Sequence, residues 1–272
     1  TEIFNGCSSL STITFEPGGT EALVLADGTK TTSSGGGEQY TYYHGVFTNC
    51  PALKEITLPE RTSKIGAYAF SPYDHKGTIA LETITIPASV TEIGDSAFGD
   101  MMTSKSNLKT VIFADAENSR LTTIGAKAFY NCRLLTEIEI PASVTSIGAT
   151  AFSYCYALEK VTFAEGSKLT ELGDTVFQFC RELIEIEIPS GVTAIGASAF
   201  SSCTKLNTVT FAPDSVLETI GSSAFENCAS LQSIAIPASV TSIGASAFSG
   251  CTALSALTFE TYTEGDLSLI HI

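Results

Sequence analysis

From Leu135 onward the chain alternates in a fixed pattern. Leu135, Ile138 and Ile140 are apolar, while Glu137 and Glu139 between them are charged. A period of two puts the isoleucines on one face and the glutamates on the other, which predicts a short strand with one buried side. Pro141 ends that strand, because it has no backbone N–H to donate. Val144-Thr145-Ser146-Ile147 then predicts a second extended segment, followed by Gly148. Ala151 and Phe152 begin what reads as a helical turn whose Phe faces the core, and Cys155 closes the unit.

The same frame returns at Leu158, Leu183, Leu206 and Leu231: L-x-x-I-x-I/F, a turn, V/L-T-x-I-G, then A-F-x-x-C. Units start at Leu10, Leu53, Leu81, Leu108, Leu135, Leu158, Leu183, Leu206, Leu231 and Leu254. From Leu135 the spacing alternates 23, 25, 23, 25 and 23 residues. Short units turn on a proline (Pro141, Pro189, Pro237), and long ones on an acidic loop such as Ala164-Glu165-Gly166. One such strand cannot bury its apolar side alone. Stacking the next coil about 4.8 Å away does so, and predicts a solenoid. The recurrent glycine (Gly66, Gly94, Gly125, Gly148, Gly173, Gly196, Gly221, Gly244) implies either positive φ or close approach between coils.

Residues 1–272 read as a single repeat domain with an insertion at 18–45, whose run Ser33-Ser34-Gly35-Gly36-Gly37 reads as a flexible loop. Smaller insertions span Ser71 to Thr78 and Gly99 to Asn107. Phe4-Asn5-Gly6-Cys7 reads as the tail of an earlier unit, so an upstream segment is expected. The pattern dissolves after Phe259, and Leu267 to Ile272 does not match it.

These Ile-Pro, Val-Thr-x-Ile-Gly and Ala-Phe-x-x-Cys elements resemble the BspA-type leucine-rich repeats of bacterial surface proteins, from Ile3 to about Glu260. The resemblance implies an α/β solenoid: a leucine-rich-repeat right-handed superhelix of about ten coils, with short parallel strands and short helical turns. The Asn of the common leucine-rich repeat is replaced here by Ser or charged residues, so no Asn ladder is expected. The resemblance also implies a secreted or cell-surface bacterial protein that adheres to host matrix or microbial surfaces.

Composition narrows the functional classes. Of 272 residues, 44% are hydrophobic and 16% charged, which suits a folded chain. The 29 acidic residues against 14 basic ones leave a net charge of −15, which argues against nucleic acid and anionic membrane surfaces as partners. No run of about 18 apolar residues predicts membrane insertion. The three histidines, His44, His75 and His271, all lie off the regular scaffold, and no phosphate-binding glycine motif is present. No catalytic residue, cofactor or metal is therefore expected. Asp115, Glu117, Glu165 and Asp214 decorate turns without the spacing of a calcium loop.

All eight cysteines hold one repeat position: Cys7, Cys50, Cys132, Cys155, Cys180, Cys203, Cys228 and Cys251. They read as a structural ladder of small buried side chains, with disulfides between coils as the alternative; zinc lacks its Cys-x-x-Cys spacing.

Two surfaces compete as the contact site. One is the outward face of the strands, with Thr85, Thr110, Glu137, Glu139, Lys160, Thr162, Glu185, Glu187 and Thr210. The other is the insertion edge, where Tyr40, Tyr42 and Tyr43 cluster beside His44. The expected partner is a protein or a glycan, with a structural spacer as the rival role. The chain is expected to be mainly monomeric, with some tendency to dimerise through its strand edges.

Overall fold

The computed structural model describes residues 3–260 apart from 5, 16–18, 36–37, 49, 72–79 and 100–105. The insertions after Ser71 and Gly99, His75 and the C-terminal segment with His271 fall largely or wholly outside the described residues.

The alternating segments form a first face of parallel strands: Glu55–Thr57, Thr83–Ile86, Thr110–Phe113, Glu137–Ile140, Lys160–Phe163, Glu185–Ile188, Thr208–Phe211, Ser233–Ile236 and Ala256–Phe259. A second face is built from shorter strands: Leu23–Leu25, Thr62–Ile65, Glu92–Ile93, Thr123–Ile124, Ser146–Ile147, Glu171–Leu172, Ala194–Ile195, Thr219–Ile220 and Ser242–Ile243. Equivalent repeat positions pair, as in Glu137 with Lys160 and Ile138 with Val161. The solenoid is therefore in register, and one continuous core runs along it.

Two expectations are corrected. The unit at Leu10 forms no first-face strand among the described residues, although Ile13 and Phe15 pack on the core, and the stack has about eight full turns where ten coils were expected. The third side is also not helical; one 3-10 segment, Ala116–Asn118, is the sole helix among the described residues. Its amides alternate between two partners. Ala151, Ser153 and Cys155 donate within the turn to Gly148, Thr150 and Phe152, whereas Thr150, Phe152 and Tyr154 donate to Asp174, Val176 and Gln178 of the next coil. Thr150 and Tyr154 both have a φ of 64°. An α-helix cannot contain such left-handed residues, so the alternation produces a third hydrogen-bonded ladder.

The insertion also differs from expectation. Leu23–Leu25 joins the second face, and Thr29–Gly35 pairs antiparallel with Glu38–His44. Ser33, Ser34 and Gly35, expected in a flexible loop, lie opposite Tyr40, Gln39 and Glu38. Thr and Tyr at alternating positions favour such a pair.

Inside, the phenylalanines stack from Phe4 to Phe248, with ring centroids 4.8 Å apart at Phe47–Phe70 and 5.5 Å at Phe177–Phe200. The cysteines form a file beside them and carry no disulfide. Each buried thiol from Cys155 to Cys251 donates to the carbonyl of the Phe one coil earlier, as Cys155 does to Phe129 at 3.2 Å and Cys251 to Phe225 at 3.1 Å. The same carbonyl already accepts the amide of the Cys in its own coil, as Phe129 does from Cys132 at 3.2 Å, so the thiol fills its second lone pair and finds a partner for its own buried S–H. Burial pushes the Cys50 thiol up to about 11, and those of Cys155 and Cys180 well above the ordinary range.

The repeated glycine owes its identity to close approach. Gly148 has no positive φ, but a Cβ there would lie 2.4 Å from the Ala126 nitrogen. Positive φ falls two residues later, at Lys127, Thr150, Thr175 and Ser198.

Acidic side chains just after this repeat place, which Ala26 fills in the first coil, cap amides of the following coil. Asp27, Asp95 and Asp174 accept from the N–H groups of Ala67, Ala126 and Ala197 at 2.9, 2.8 and 2.7 Å. At Asp27 the Ala67 amide, opposed by partial burial and helped by Lys64, holds the carboxyl below its ordinary value of 3.8. A lowered folded-state pKa contributes stability above the unfolded value, and that contribution disappears as pH falls through the folded one. The wild-type chain is thus expected to exceed Asp27→Asn in urea midpoint at pH 6, with the gap closing as pH falls below the carboxyl's ordinary value of 3.8. A gap that persists at low pH would show that the charge is not involved.

Candidate functional site

The first face is not one unbroken sheet. Strand Lys160–Phe163 pairs with Glu137–Ile140 at all four positions, but with Glu185–Ile188 only at Lys160 and Glu185. Thr208–Phe211 likewise pairs fully with Glu185–Ile188 and only at Thr208 with Ser233–Ile236. Thr110–Phe113 and Glu137–Ile140 lie side by side with no ladder pairing among the described residues. Every opening follows a long unit and precedes a short one.

Proline and the long loop act together, since Pro87 stands at the same place after a proline-turn unit and its junction stays paired at three positions. After a short unit, the next coil continues the ladder, with Ala164 donating to Ile140 and Ala212 to Ile188, both at 2.9 Å. After a long unit, the equivalent donor would be Pro141, Pro189 or Pro237, and proline has no N–H. The ladder stops there, and the long loop before it is tied to the earlier coil, as by Lys168 donating to Ala142 at 3.0 Å.

Solvent-open clefts lie at two of these openings. The larger, about 590 Å³, lies between Lys160–Phe163 and Glu185–Ile188 and is lined by Lys160, Thr162, Glu185, Glu187, Thr208 and Thr210, with the Glu165–Ser167 loop at one end. The smaller, about 340 Å³, is lined by Thr110, Ile112, Glu137, Glu139, Lys160 and Thr162. Thus eight of the strand-face residues singled out in the sequence line one cleft or both. Thr85 lines neither; it sits between Thr57 and Ile112 on the same face.

Glu137, Glu139, Glu185, Glu187 and Lys160 are all exposed. Among the described residues none of them forms an ion pair; the paired carboxylates are Asp27, Glu82, Glu92 and Glu182. Their charges are available to a partner. Of the insertion residues, Tyr40, Tyr42 and Tyr43 lie in the hairpin opposite Ser33, Thr31 and Lys30, away from the clefts in sequence and ladder. Among the described residues no three His, Cys, Asp or Glu side chains are grouped to hold a metal ion. No helix there is long and apolar enough to cross a membrane.

Sequence reasoning missed a second surface on the turn side. Tyr154 stacks on Phe179 at 4.7 Å and meets Tyr130 and Tyr156 edge-on. Arg133 and Arg181 lie over the Tyr156 ring, 4.9 and 5.0 Å from its centre. The available signal was aromatic residues between the Phe and Cys of the frame, where other units carry Ser, Asn or Glu.

In-register parallel strands from units of about two dozen residues, a shared interior of Leu, Ile, Phe and Cys, and a broad outward face define a leucine-rich-repeat solenoid. Within that class the chain belongs to the BspA type leucine rich repeat family, which matches it in six copies over residues 40–168 and 122–255. No curated protein matches it. Similar solved structures include the pneumococcal vaccine antigen PcpA, 21% identical over 88% of this chain and 82% of that one, with a TM-score of 0.42. A Treponema pallidum leucine rich repeat protein is 27% identical over 59% of this chain and 68% of that one, with a TM-score of 0.47. A leucine rich cell surface protein from Faecalibacterium prausnitzii is 28% identical over 79% and 75%, with a TM-score of 0.36.

Proposed function

We propose that this chain is a non-enzymatic binding module, secreted by or displayed on a bacterium, that holds an extracellular protein against the first face. The observation that carries this reading is the pair of clefts around Lys160 and Thr162, edged by four exposed carboxylates without ion pairs. A rigid parallel scaffold holds these groups at fixed spacing, so binding loses little conformational entropy on the chain's side. Family membership supports the same role, since solenoids of this class present their strand face as an extended contact surface.

A partner with basic side chains would be steered by the acidic field and held by threonine hydroxyls and carboxylates. Its test uses host matrix proteins immobilised on a biosensor. The double variant Glu139→Lys/Glu187→Lys is expected to lose at least tenfold in affinity for any matrix protein that the wild-type chain binds, with an unchanged urea midpoint. Wild-type silence across the matrix panel would favour the spacer role, and binding confined to a glycan array would favour sugar recognition.

A further inference from the structure

We propose that the turn-side ridge of Tyr154, Tyr156, Phe179, Arg133 and Arg181 docks an acidic protein segment in polyproline II conformation, with carboxylates three residues apart. This surface lies off the first face, and the proposal stands independently of the function assigned there.

Backbone strain is the first observation. Tyr154 and Phe179 have φ of 64° and 62°, in the left-handed region. The same repeat place holds Asn131, Ser202, Asn227 and Gly250, small residues that suit that conformation. A large ring there is disfavoured, and the fold does not require one, because the other coils form without it. Both rings remain partly exposed and stack on each other.

The second observation is the placing of the arginines. Arg133, Tyr156 and Arg181 occupy one repeat position on three successive coils, so the guanidinium groups flank the ring from opposite sides. Later coils carry Thr204, Ala229 and Thr252 there. Among the described residues neither arginine has a carboxylate partner, in a chain where acids outnumber bases 29 to 14. Arg133 donates to Asn131 at 2.8 Å, which fixes its side chain and leaves other guanidinium donors available.

Spacing selects the occupant. Two coils separate the guanidinium groups by about 10 Å. A polyproline II helix repeats every three residues and rises about 3.1 Å per residue, so carboxylates at i and i+3 stand about 9.3 Å apart on one side. A β-strand would place same-side groups about 6.7 or 13 Å apart, and matches poorly. Polyproline segments dock on aromatic surfaces, and arginine binds carboxylate through two parallel hydrogen bonds.

Fluorescence anisotropy with the full chain and a labelled (Pro-Pro-Glu)4 peptide tests the proposal. Saturable binding is expected. It should weaken at least tenfold for (Pro-Pro-Gln)4, for the variant Arg133→Thr/Arg181→Thr, and for Tyr154→Asn/Phe179→Asn. Urea midpoints of the variants should equal or exceed that of the wild type, since the substituted residues come from the same repeat places. The proposal is overturned by no saturable binding, by equal binding to the variants, or by an oligogalacturonate that binds the ridge more tightly than the peptide.

Discussion

Replacing Phe177 with alanine is expected to remove about 4 kcal/mol of stability. The ring is fully buried and stacks between Phe152 at 5.4 Å and Phe200 at 5.5 Å. Truncation deletes its transfer free energy and leaves a void that neighbouring rings cannot fill. Each neighbour is pinned by a backbone bond to the following coil: Phe152 donates its amide to Val176 at 2.9 Å, and Phe200 to Ala224 at 2.7 Å. A solenoid coil touches only its neighbours, so the damage falls at one junction. Urea denaturation followed by far-UV circular dichroism should show a lower midpoint and a broadened or split transition. A loss under about 1 kcal/mol would mean that the column closes around the gap and that packing there is not rigid.

Substituting Gly148 with alanine is expected to cost about 3 kcal/mol, by the opposite mechanism of overpacking. The added Cβ would meet the backbone nitrogen and Cα of Ala126 at 2.4 and 2.7 Å. These are main-chain atoms, so no side chain can swing aside; two coils must part. Parting them strains the bond from Gly148 to Ile124 at 2.8 Å and the pairing of Ser146 and Ile147 with Thr123 and Ile124. Gly166 is the control. Its φ is 71° and an added Cβ would have nothing within 4 Å, so Gly166→Asn, which tolerates that conformation, should be close to neutral. Thermal denaturation of both variants checks the pair; equal shifts would show that crowding between coils is not what excludes a side chain at Gly148.

Much of this architecture was legible along the chain because a repeat states its own register. Ile138 and Ile140 recur as Ile186 and Ile188, so their common burial followed from spacing. The outward column of Glu137, Glu139, Lys160, Glu185 and Glu187 followed from the same alternation. The hairpin at Thr29–His44 was obscured by the glycines at its tip, which resemble those of a linker. The turn side read as helical because Ala-Phe spacing fits a helical turn locally; only neighbouring coils reveal that alternate amides are donated outward.

Periodicity therefore sufficed for the stacking, for the inside and outside of each strand, and for the single file of phenylalanine and cysteine, since those depend on residue type at fixed intervals. The clefts, the cysteine-to-carbonyl bonds and the arginine–tyrosine–arginine stack depend on distances between residues one coil apart. A long loop ahead of a proline opens one junction and leaves the next closed, and a ring finds its guanidinium partners two dozen residues away. Such relations exist only once the coils touch.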